Sequence, residues 1–211
     1  MKALDVATTQ CFHHARLLRH ETSACYGSDV ELLARWVLGY HGCTAALATE
    51  IMSGERPINA WPPSRNPYDW LGSGIYFWEH DPGRAMKWAQ QRYGSSAAIV
   101  GAIIQLGRCF DLLDVDFTSK LLPAYEQEKQ EADVAGRRLP TNRGRDDDVG
   151  GRYLDCRVIN ACLQALPSFQ VVRGAFREGE PAFPSGQIFR ESHIQIAVRD
   201  PRCILGVFRP T

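Results

Sequence analysis

The stretch Tyr68–Ala89, YDWLGSGIYFWEHDPGRAMKWA, constrains the fold of this chain more than any other. Gly72 and Gly74 bracket a serine and are followed at once by the apolar run Ile75–Trp78. Glycines before a β-branched and aromatic run predict a tight turn that leads into a buried strand. Tyr76 then lies on a strand beside glycines that allow a close approach of backbone to a ligand. For a single tyrosine in such a strand, the alternative is a purely structural role as an aromatic residue of the core.

A helix is predicted directly after this strand. Asp81 matches an N-cap residue, which accepts a backbone N–H, and Pro82 matches the first helical position, where a missing N–H costs nothing. Ala85, Trp88 and Ala89 share one helical face, because residues three and four apart lie on the same side of a helix. That face predicts Trp88 as an anchor in the core unless a ligand needs it.

Length and composition predict a single soluble globular domain. The chain has 211 residues, of which 45% are hydrophobic and 23% charged, enough to build a full hydrophobic core. Its 24 basic and 24 acidic side chains give no net charge, so no global field attracts the protein to nucleic acid or to a membrane surface.

The cysteines and histidines indicate a reducing compartment and no metal. Seven cysteines are scattered without a C-x-x-C pair, and there is no apolar signal segment and no run long enough to span a bilayer. We therefore expect free thiols in the cytoplasm. Six histidines show no spacing typical of zinc ligands, so we expect no metal site.

Two further segments have the features of strands that carry functional residues. The hexapeptide Gly39–Thr44, GYHGCT, follows the apolar run Trp36–Leu38 and precedes a helical pattern over 45–52. Near the C-terminus, residues 193–201, HIQIAVRDP, predict a strand that is followed by a last strand over Cys203–Phe208.

Together, these three segments resemble the motifs of the ADP-ribosyltransferases related to diphtheria toxin and the poly(ADP-ribose) polymerases. That family has a His-Gly pair, then a Gly-x-Gly-Ile-Tyr-Phe strand, and a late strand with a catalytic Glu. Here His41 precedes Tyr76 by 35 residues, and Gln195 stands at the position of the Glu. The resemblance covers residues 36–105 and 170–209. It implies an α+β fold with a split, mostly antiparallel β-sheet core and flanking helices, formed by a catalytic domain over 36–211 after an N-terminal helical arm over 1–35.

The resemblance also implies roles for single residues. His41 would bind the adenosine-side ribose, Tyr76 would stack on nicotinamide, and Gln195 would bind the nicotinamide ribose. Cationic nicotinamide is attracted to an aromatic face. Further NAD contacts are implied for the Gly42 backbone, Gly74, Ala85, Trp88, Arg56, Arg65 and Tyr68. Acceptor contacts are implied for Phe183, Phe189 and Arg190. An ordinary solvated loop is the alternative for the arginines.

Gln195 departs from the family pattern in a way that affects the chemistry. A neutral amide can hydrogen-bond a ribose hydroxyl but cannot take a proton. The departure favours transfer of a single ADP-ribose over chain building. Glu191 and His193 share a strand face with Gln195, because side chains alternate along a strand. Our hypothesis is that one of the two replaces the missing base.

The expected function is that of a mono-ADP-ribosyltransferase, with NAD as co-substrate and a protein or nucleic acid as acceptor. A bacterial toxin or defence effector of this kind would be controlled by an antitoxin or inhibitory partner, and we expect no membrane partner. Two alternatives stay open: an NAD glycohydrolase, with water as acceptor, and a non-catalytic NAD- or ADP-ribose-binding module.

The remaining elements are predicted from periodicity and turn residues. Residues 1–38 are predicted to be mostly helical, including a helical face formed by Val30, Leu33, Ala34 and Val37. Strands are predicted over 97–105, 109–114 and 170–176, helices over 119–135 and 153–166, and loops over 53–70, 136–151 and 177–192.

Overall fold

The computed structural model of the chain describes residues 33–145 and 148–210, which belong to one compact unit, Glu31–Thr211. Its strands are β1 (Leu33–Thr44), β2 (Ile75–Glu79), β3 (Ala97–Gly107), β4 (Cys109–Asp111), β5 (Arg143–Arg145), β6 (Asp148–Gly151), β7 (Val171–Phe176), β8 (His193–Val198) and β9 (Ile204–Phe208). Its helices are α1 (Ala45–Ser53), α2 (Pro82–Tyr93), α3 (Val115–Thr118), α4 (Leu121–Val134) and α5 (Tyr153–Ala165). This combination of helices and strands confirms the α+β class.

Seven strands form one sheet in the order β4-β7-β8-β2-β1-β3-β9, and β5 pairs with β6 in a separate ribbon. Only the β4–β7 pair among these described strands is parallel, so the sheet is mostly antiparallel. The strands β8, β2 and β1 occupy its centre. Side chains that project from these three strands are therefore held by neighbours on both sides.

The strand register divides the central side chains between two faces of the sheet. Phe77 pairs with Ile196 and projects to one face, whereas Tyr76 pairs with Ala197 and projects to the other. We call these the Phe77 face and the Tyr76 face. The Phe77 face carries the main hydrophobic core, which includes Ile51, Trp61, Ile75, Val100, Ile104, Leu106 and Ile196.

Local sequence explains how α1 and α2 begin. The Thr44 side chain accepts a hydrogen bond from the Leu47 N–H at 3.2 Å and so caps α1. The Asp81 carboxylate accepts from the Arg84 N–H at 2.8 Å, and Pro82 occupies the first turn of α2, as predicted. None of the helices in the described ranges combines the length and the apolar character that crossing a membrane requires.

Two predictions of secondary structure were wrong. Leu33–Val37 was predicted as helix but belongs to β1, because pairing with β3 from Leu33 to Thr44 overrides its helical spacing. The same pairing continues through His41 and Gly42, so both residues lie inside the strand. The segment over 136–151 was predicted as a loop but contains the β5–β6 pair. The predicted N-terminal arm lies outside the described residues except for its last three, which are part of β1.

A buried ionic triad joins three strands on the Phe77 face. The guanidinium of Arg173 on β7 donates two hydrogen bonds to Glu79 on β2, at 2.6 and 2.9 Å, and a third to Asp111 on β4, at 3.0 Å. Only 8% of the Arg173 side chain is exposed. The hydrogen bonds that it donates to Glu79 raise the pKa of Arg173 above its already high ordinary value, so the arginine keeps its charge.

Candidate functional site

The three motifs of the resemblance lie on neighbouring central strands, β1, β2 and β8. Tyr76 and Gln195 project to the same face, because Trp78 pairs with Gln195 and lies two residues from Tyr76. His41 projects to the Phe77 face, since its neighbour Tyr40 pairs with Trp78. The structure thus brings the Tyr76 and Gln195 side chains to one face and places the His41 imidazole on the other.

His41 is engaged at both ring nitrogens. Its Nδ1 donates to the Tyr76 carbonyl at 2.8 Å, and its Nε2 accepts from the Trp61 indole N–H at 3.4 Å. A carbonyl can only accept, so the imidazole carries its proton on Nδ1. Burial lowers the pKa of His41 to about 4, which keeps the ring neutral. His41 thus contacts the backbone of β2 from the Phe77 face of the sheet. A ribose hydroxyl could bind Nε2 only by displacing the Trp61 indole N–H.

The Tyr76 hydroxyl closes the glycine turn that precedes its own strand. It donates to the Gly72 carbonyl at 2.6 Å and accepts from the Leu71 N–H at 2.8 Å. Burial raises the pKa of this phenol well above its ordinary value, and the carboxylate of Asp69 adds to the rise. The hydroxyl therefore stays protonated and anchors the turn.

The glycine turn is also held by other parts of the chain. Ser64 and Gly74 exchange backbone hydrogen bonds at 2.8 and 3.1 Å, and the Ser73 N–H donates to the Asn160 side chain on α5 at 2.9 Å. A Cβ on Gly74 would lie 3.1 Å from the Ala197 backbone of β8. Gly74, which the resemblance assigned to NAD, is thus needed for packing between the turn and β8.

Gln195 is buried and bonded to a second polar side chain on its own strand. Its Nε2 lies 2.9 Å from the Nε2 of His193, and the His193 Nδ1 lies 2.7 Å from the Glu191 carbonyl. The side chain of His193 has no exposed surface. Both nitrogens of this imidazole are therefore occupied inside the protein, which leaves His193 without a free lone pair to act as a base.

Glu191, the other suggested base, is held in ion pairs. Its carboxylate contacts Lys87 and lies 3.9 Å from the Arg84 Nε. The hydrogen bond from Lys87 lowers the pKa of Glu191 below its ordinary range, which makes the carboxylate a weaker proton acceptor. Arg84 in turn pairs with Glu178, so α2 is tied to both ends of the long loop before β8.

Trp78 is a residue of the Tyr76 face that sequence reasoning did not single out. It lies directly opposite Gln195 in the β2–β8 pair and is 5% exposed. Its indole N–H is buried without a hydrogen-bond partner. Buried donors are nearly always paired, so the unpaired indole N–H beside Gln195 is a candidate donor to a bound water or ligand atom. In the sequence, Trp78 could be placed on the face of Tyr76, because it follows Tyr76 by two residues. Only the structure shows that its indole N–H has no partner.

Gly42, Ala85 and Trp88 form the contact between β1 and α2. A Cβ on Gly42 would lie 2.8 Å from the Ala85 carbonyl oxygen and 2.9 Å from the Trp88 ring. Ala85 is fully buried, and Trp88 packs against Trp78 with ring centroids 5.5 Å apart. Close packing of helix on strand thus accounts for the small residues at 42 and 85, and Trp88 is an anchor of this contact.

Replacing Gly42 with alanine is expected to lower the free energy of unfolding by about 1–3 kcal/mol. The added methyl group would meet a backbone carbonyl, so α2 would have to move away from β1. Urea unfolding curves measure the effect. Gly206→Ala on β9 is the matched control, because nothing lies within 4 Å of a Cβ there. Equal stability of the two variants would contradict the packing assignment.

The other residues implied for NAD binding are dispersed. Arg56 pairs with Glu50 near the end of α1, with Nη2 to Oε2 at 2.6 Å. Arg65 is exposed. The ring of Tyr68 lies 5.8 Å from the ring of Tyr153 on α5. Neither arginine contacts Tyr76 or Gln195 through any described hydrogen bond or ion pair.

The acceptor-side residues lie in the loop before β8, over 177–192. Phe183 is exposed, and the Phe189 ring packs under the guanidinium of Arg177 at 4.4 Å. Arg190 is exposed, and its backbone N–H donates to the Glu180 carbonyl at 3.0 Å. The loop thus presents aromatic side chains together with charges of both signs just before the strand that carries Gln195.

An aromatic stack that the sequence reasoning did not identify supports the His193–Gln195 pair. The His193 ring lies 6.0 Å from Trp70 and 5.9 Å from Phe176. The guanidinium of Arg152 sits over both aromatic rings, at 4.3 and 4.8 Å from their centroids. Four separate segments of the chain meet here, so no local pattern predicted the stack.

Within residues 33–145 and 148–210, no group of three or more His, Cys, Asp or Glu side chains is arranged to hold a metal ion. The five described cysteines are free and buried. Compared with known proteins, the chain matches no family model, no curated protein and no solved structure.

Proposed function

We propose that the protein is a mono-ADP-ribosyltransferase that cleaves NAD and transfers ADP-ribose to a macromolecule, as a toxin or defence effector does. One observation carries the proposal: the Tyr76 ring and the Gln195 amide share a face on adjacent central strands, beside the unpaired indole N–H of Trp78. An aromatic face, a hydrogen-bond acceptor and a buried donor are the groups that a nicotinamide riboside needs for binding and orientation.

The chemistry requires little from the protein beyond orientation and charge stabilisation. Cleavage of the glycosidic bond releases nicotinamide as a neutral base and leaves positive charge on the ribose. In the proposal the Tyr76 ring orients nicotinamide, and the Oε1 of Gln195 accepts a hydrogen bond from a ribose hydroxyl and faces the developing charge. Among the described side chains, His193 and Glu191 are both held by protein partners, so the acceptor must bring a nucleophile that needs no strong base from the protein.

A second candidate is a module that binds NAD or ADP-ribose without cleaving it. The neutral amide of Gln195 and the engagement of His193 and Glu191 by protein partners favour this alternative, because both groups are weak proton acceptors in this arrangement. NAD glycohydrolase activity is a third outcome of the same site, with water as acceptor. Release of nicotinamide and the fate of ADP-ribose distinguish the three.

The test is nicotinamide release from NAD by the wild type, Tyr76→Ala and Gln195→Ala, with and without cell lysate as a source of acceptor. We expect lysate-dependent release that falls at least tenfold in both variants, the equivalent of about 1.4 kcal/mol or more of transition-state stabilisation. Gln105→Ala is the matched control, because Gln105 lies on the same face but on β3 and should keep wild-type turnover.

Each other outcome overturns the transferase. Lysate-independent release would show a glycohydrolase. NAD binding without release would show a binding module, and equal losses in Gln105→Ala would show that the variants act through folding alone. Labelled ADP-ribose recovered on protein or on nucleic acid identifies the class of acceptor.

A further inference from the structure

We infer that His193 is a positioning residue that sets the orientation of the Gln195 amide, so that its Oε1, and not its Nε2, is presented to substrate. This inference rests on the proposed function for its catalytic consequence. The geometry on which it depends lies entirely in β8 and its neighbours, and can be measured without NAD.

The hydrogen bonds of His193 determine which way the amide points. The Glu191 carbonyl lies 2.7 Å from Nδ1 and can only accept, so Nδ1 carries a proton. In a neutral imidazole the other nitrogen, Nε2, is then an acceptor. Gln195 meets it at 2.9 Å and must therefore offer its N–H, which turns Oε1 away from His193. The tautomer of His193 thus determines the orientation of the Gln195 amide.

The surroundings of His193 keep the ring neutral. Burial lowers its pKa below the ordinary value, and the backbone hydrogen bond to Glu191 only partly offsets this. Trp70 and Phe176 cover the ring. The charged groups that surround it come from three elements: Asp81, Arg84 and Lys87 at α2, Glu178 after β7, and Glu191 before β8. The carboxylate of Glu178 is the nearest of these, 3.5 Å from Nδ1.

Protonation of His193 would reverse the orientation of the Gln195 amide. With both nitrogens protonated, Nε2 becomes a donor and needs Oε1 as its partner, so Gln195 would rotate and present its NH₂ group to the ribose. A donor group carries partial positive charge and would face the positive charge that develops during cleavage. Activity should therefore be highest when His193 is neutral and should fall as the ring gains its proton.

The pH dependence of nicotinamide release tests the inference. For the wild type we expect an acid limb that lies below pH 6.5, since burial lowers the pKa of His193 below that value. Release should approach a tenfold fall for each pH unit once the pH is below this pKa. His193→Gln offers an acceptor that does not titrate, so it should retain more activity than His193→Leu and lose the acid limb. His193→Leu removes the acceptor and should lower turnover at least tenfold at pH 7.5, with its folding checked by circular dichroism.

Because the Asp81, Glu178 and Glu191 carboxyls remain in all variants, an acid limb that persists unchanged in His193→Gln belongs to them and overturns the inference. A turnover in His193→Leu equal to that of His193→Gln also overturns it.

Nuclear magnetic resonance separates failure of the inference from failure of the proposed function. In protein without NAD, we expect the ¹⁵N shifts of His193 to report a proton on Nδ1 at pH 7.5. The side-chain amide signals of Gln195 should shift with the same midpoint as the His193 ring, and this shift should be absent in His193→Gln. A proton on the Nε2 of His193 would overturn the inference, and so would Gln195 signals that do not shift as His193 titrates. Both results are independent of whether the protein cleaves NAD.

Discussion

Arg173→Met is expected to lower the free energy of unfolding by about 3–5 kcal/mol. Arg173 is the only cation in the triad with Glu79 and Asp111, and all three side chains are largely buried. Removing it leaves two carboxylates close together in a region from which water is mostly excluded. Breaking one side of a buried ion pair costs far more than the pair itself contributes, because the remaining charge loses its partner and stays desolvated.

Urea unfolding at pH 7.5 measures this effect, and two further variants test whether it comes from the loss of the ion pairs. Arg199→Met is the matched control, because the Nη1 of Arg199 is buried without a hydrogen-bond partner and burial lowers its pKa. That change should be close to neutral or stabilising. Adding Glu79→Gln and Asp111→Asn to Arg173→Met removes the orphaned charges and should restore part of the loss. If Arg173→Met and Arg199→Met were equally stable, the triad would not hold β2, β4 and β7 together.

The protein is expected to lose up to about 3 kcal/mol of stability between pH 6.5 and pH 4 through His41 alone. Burial lowers the pKa of His41 from 6.5 to about 4, and each pKa unit corresponds to about 1.4 kcal/mol. The unfolded chain binds the proton more readily than the folded protein does. The stabilising effect of the neutral ring is therefore complete above pH 6.5 and is lost as the pH falls toward 4.

The measurement is the free energy of unfolding as a function of pH for the wild type and for His41→Asn. Asparagine can donate to the Tyr76 carbonyl, as the Nδ1 of His41 does, but does not titrate. The variant should be less stable at pH 7.5 and should lose less stability on acidification. Parallel curves for the two proteins would show that His41 does not take up a proton on unfolding. His193, whose pKa is also lowered, is present in both and cancels in the comparison.

Several elements were predictable because their signals are local. The Asp81–Pro82 start of α2, the strand after Gly74 and the helix after Thr44 follow from caps, turn residues and apolar runs within a few positions. The regular alternation of β8 also placed Gln195 and His193 on one face, as predicted. In each case the physical cause, a cap or a side-chain period, acts over a single turn or strand.

The errors arose where distant strands decide the outcome. Leu33–Val37 has the spacing of a helix, yet pairing with β3 across about seventy residues makes it a strand. His41 and Tyr76 were expected to face one ligand together. The β1–β2 register instead sends His41 to the Phe77 face, and a shift of one residue would have reversed this. Register depends on the whole sheet and has no signature in either strand alone.

By itself, the amino-acid sequence determined the α+β class, the starts and ends of most central elements, and the presence of an amide where the resembled family has a carboxylate. Only the tertiary structure decided which groups are available for chemistry. It occupies both nitrogens of His193, pairs Glu191 with Lys87 and leaves the Trp78 N–H unpaired. The reason is that a side chain's protonation, orientation and access depend on partners from other segments, whereas turns, caps and strand periods depend on neighbours in sequence.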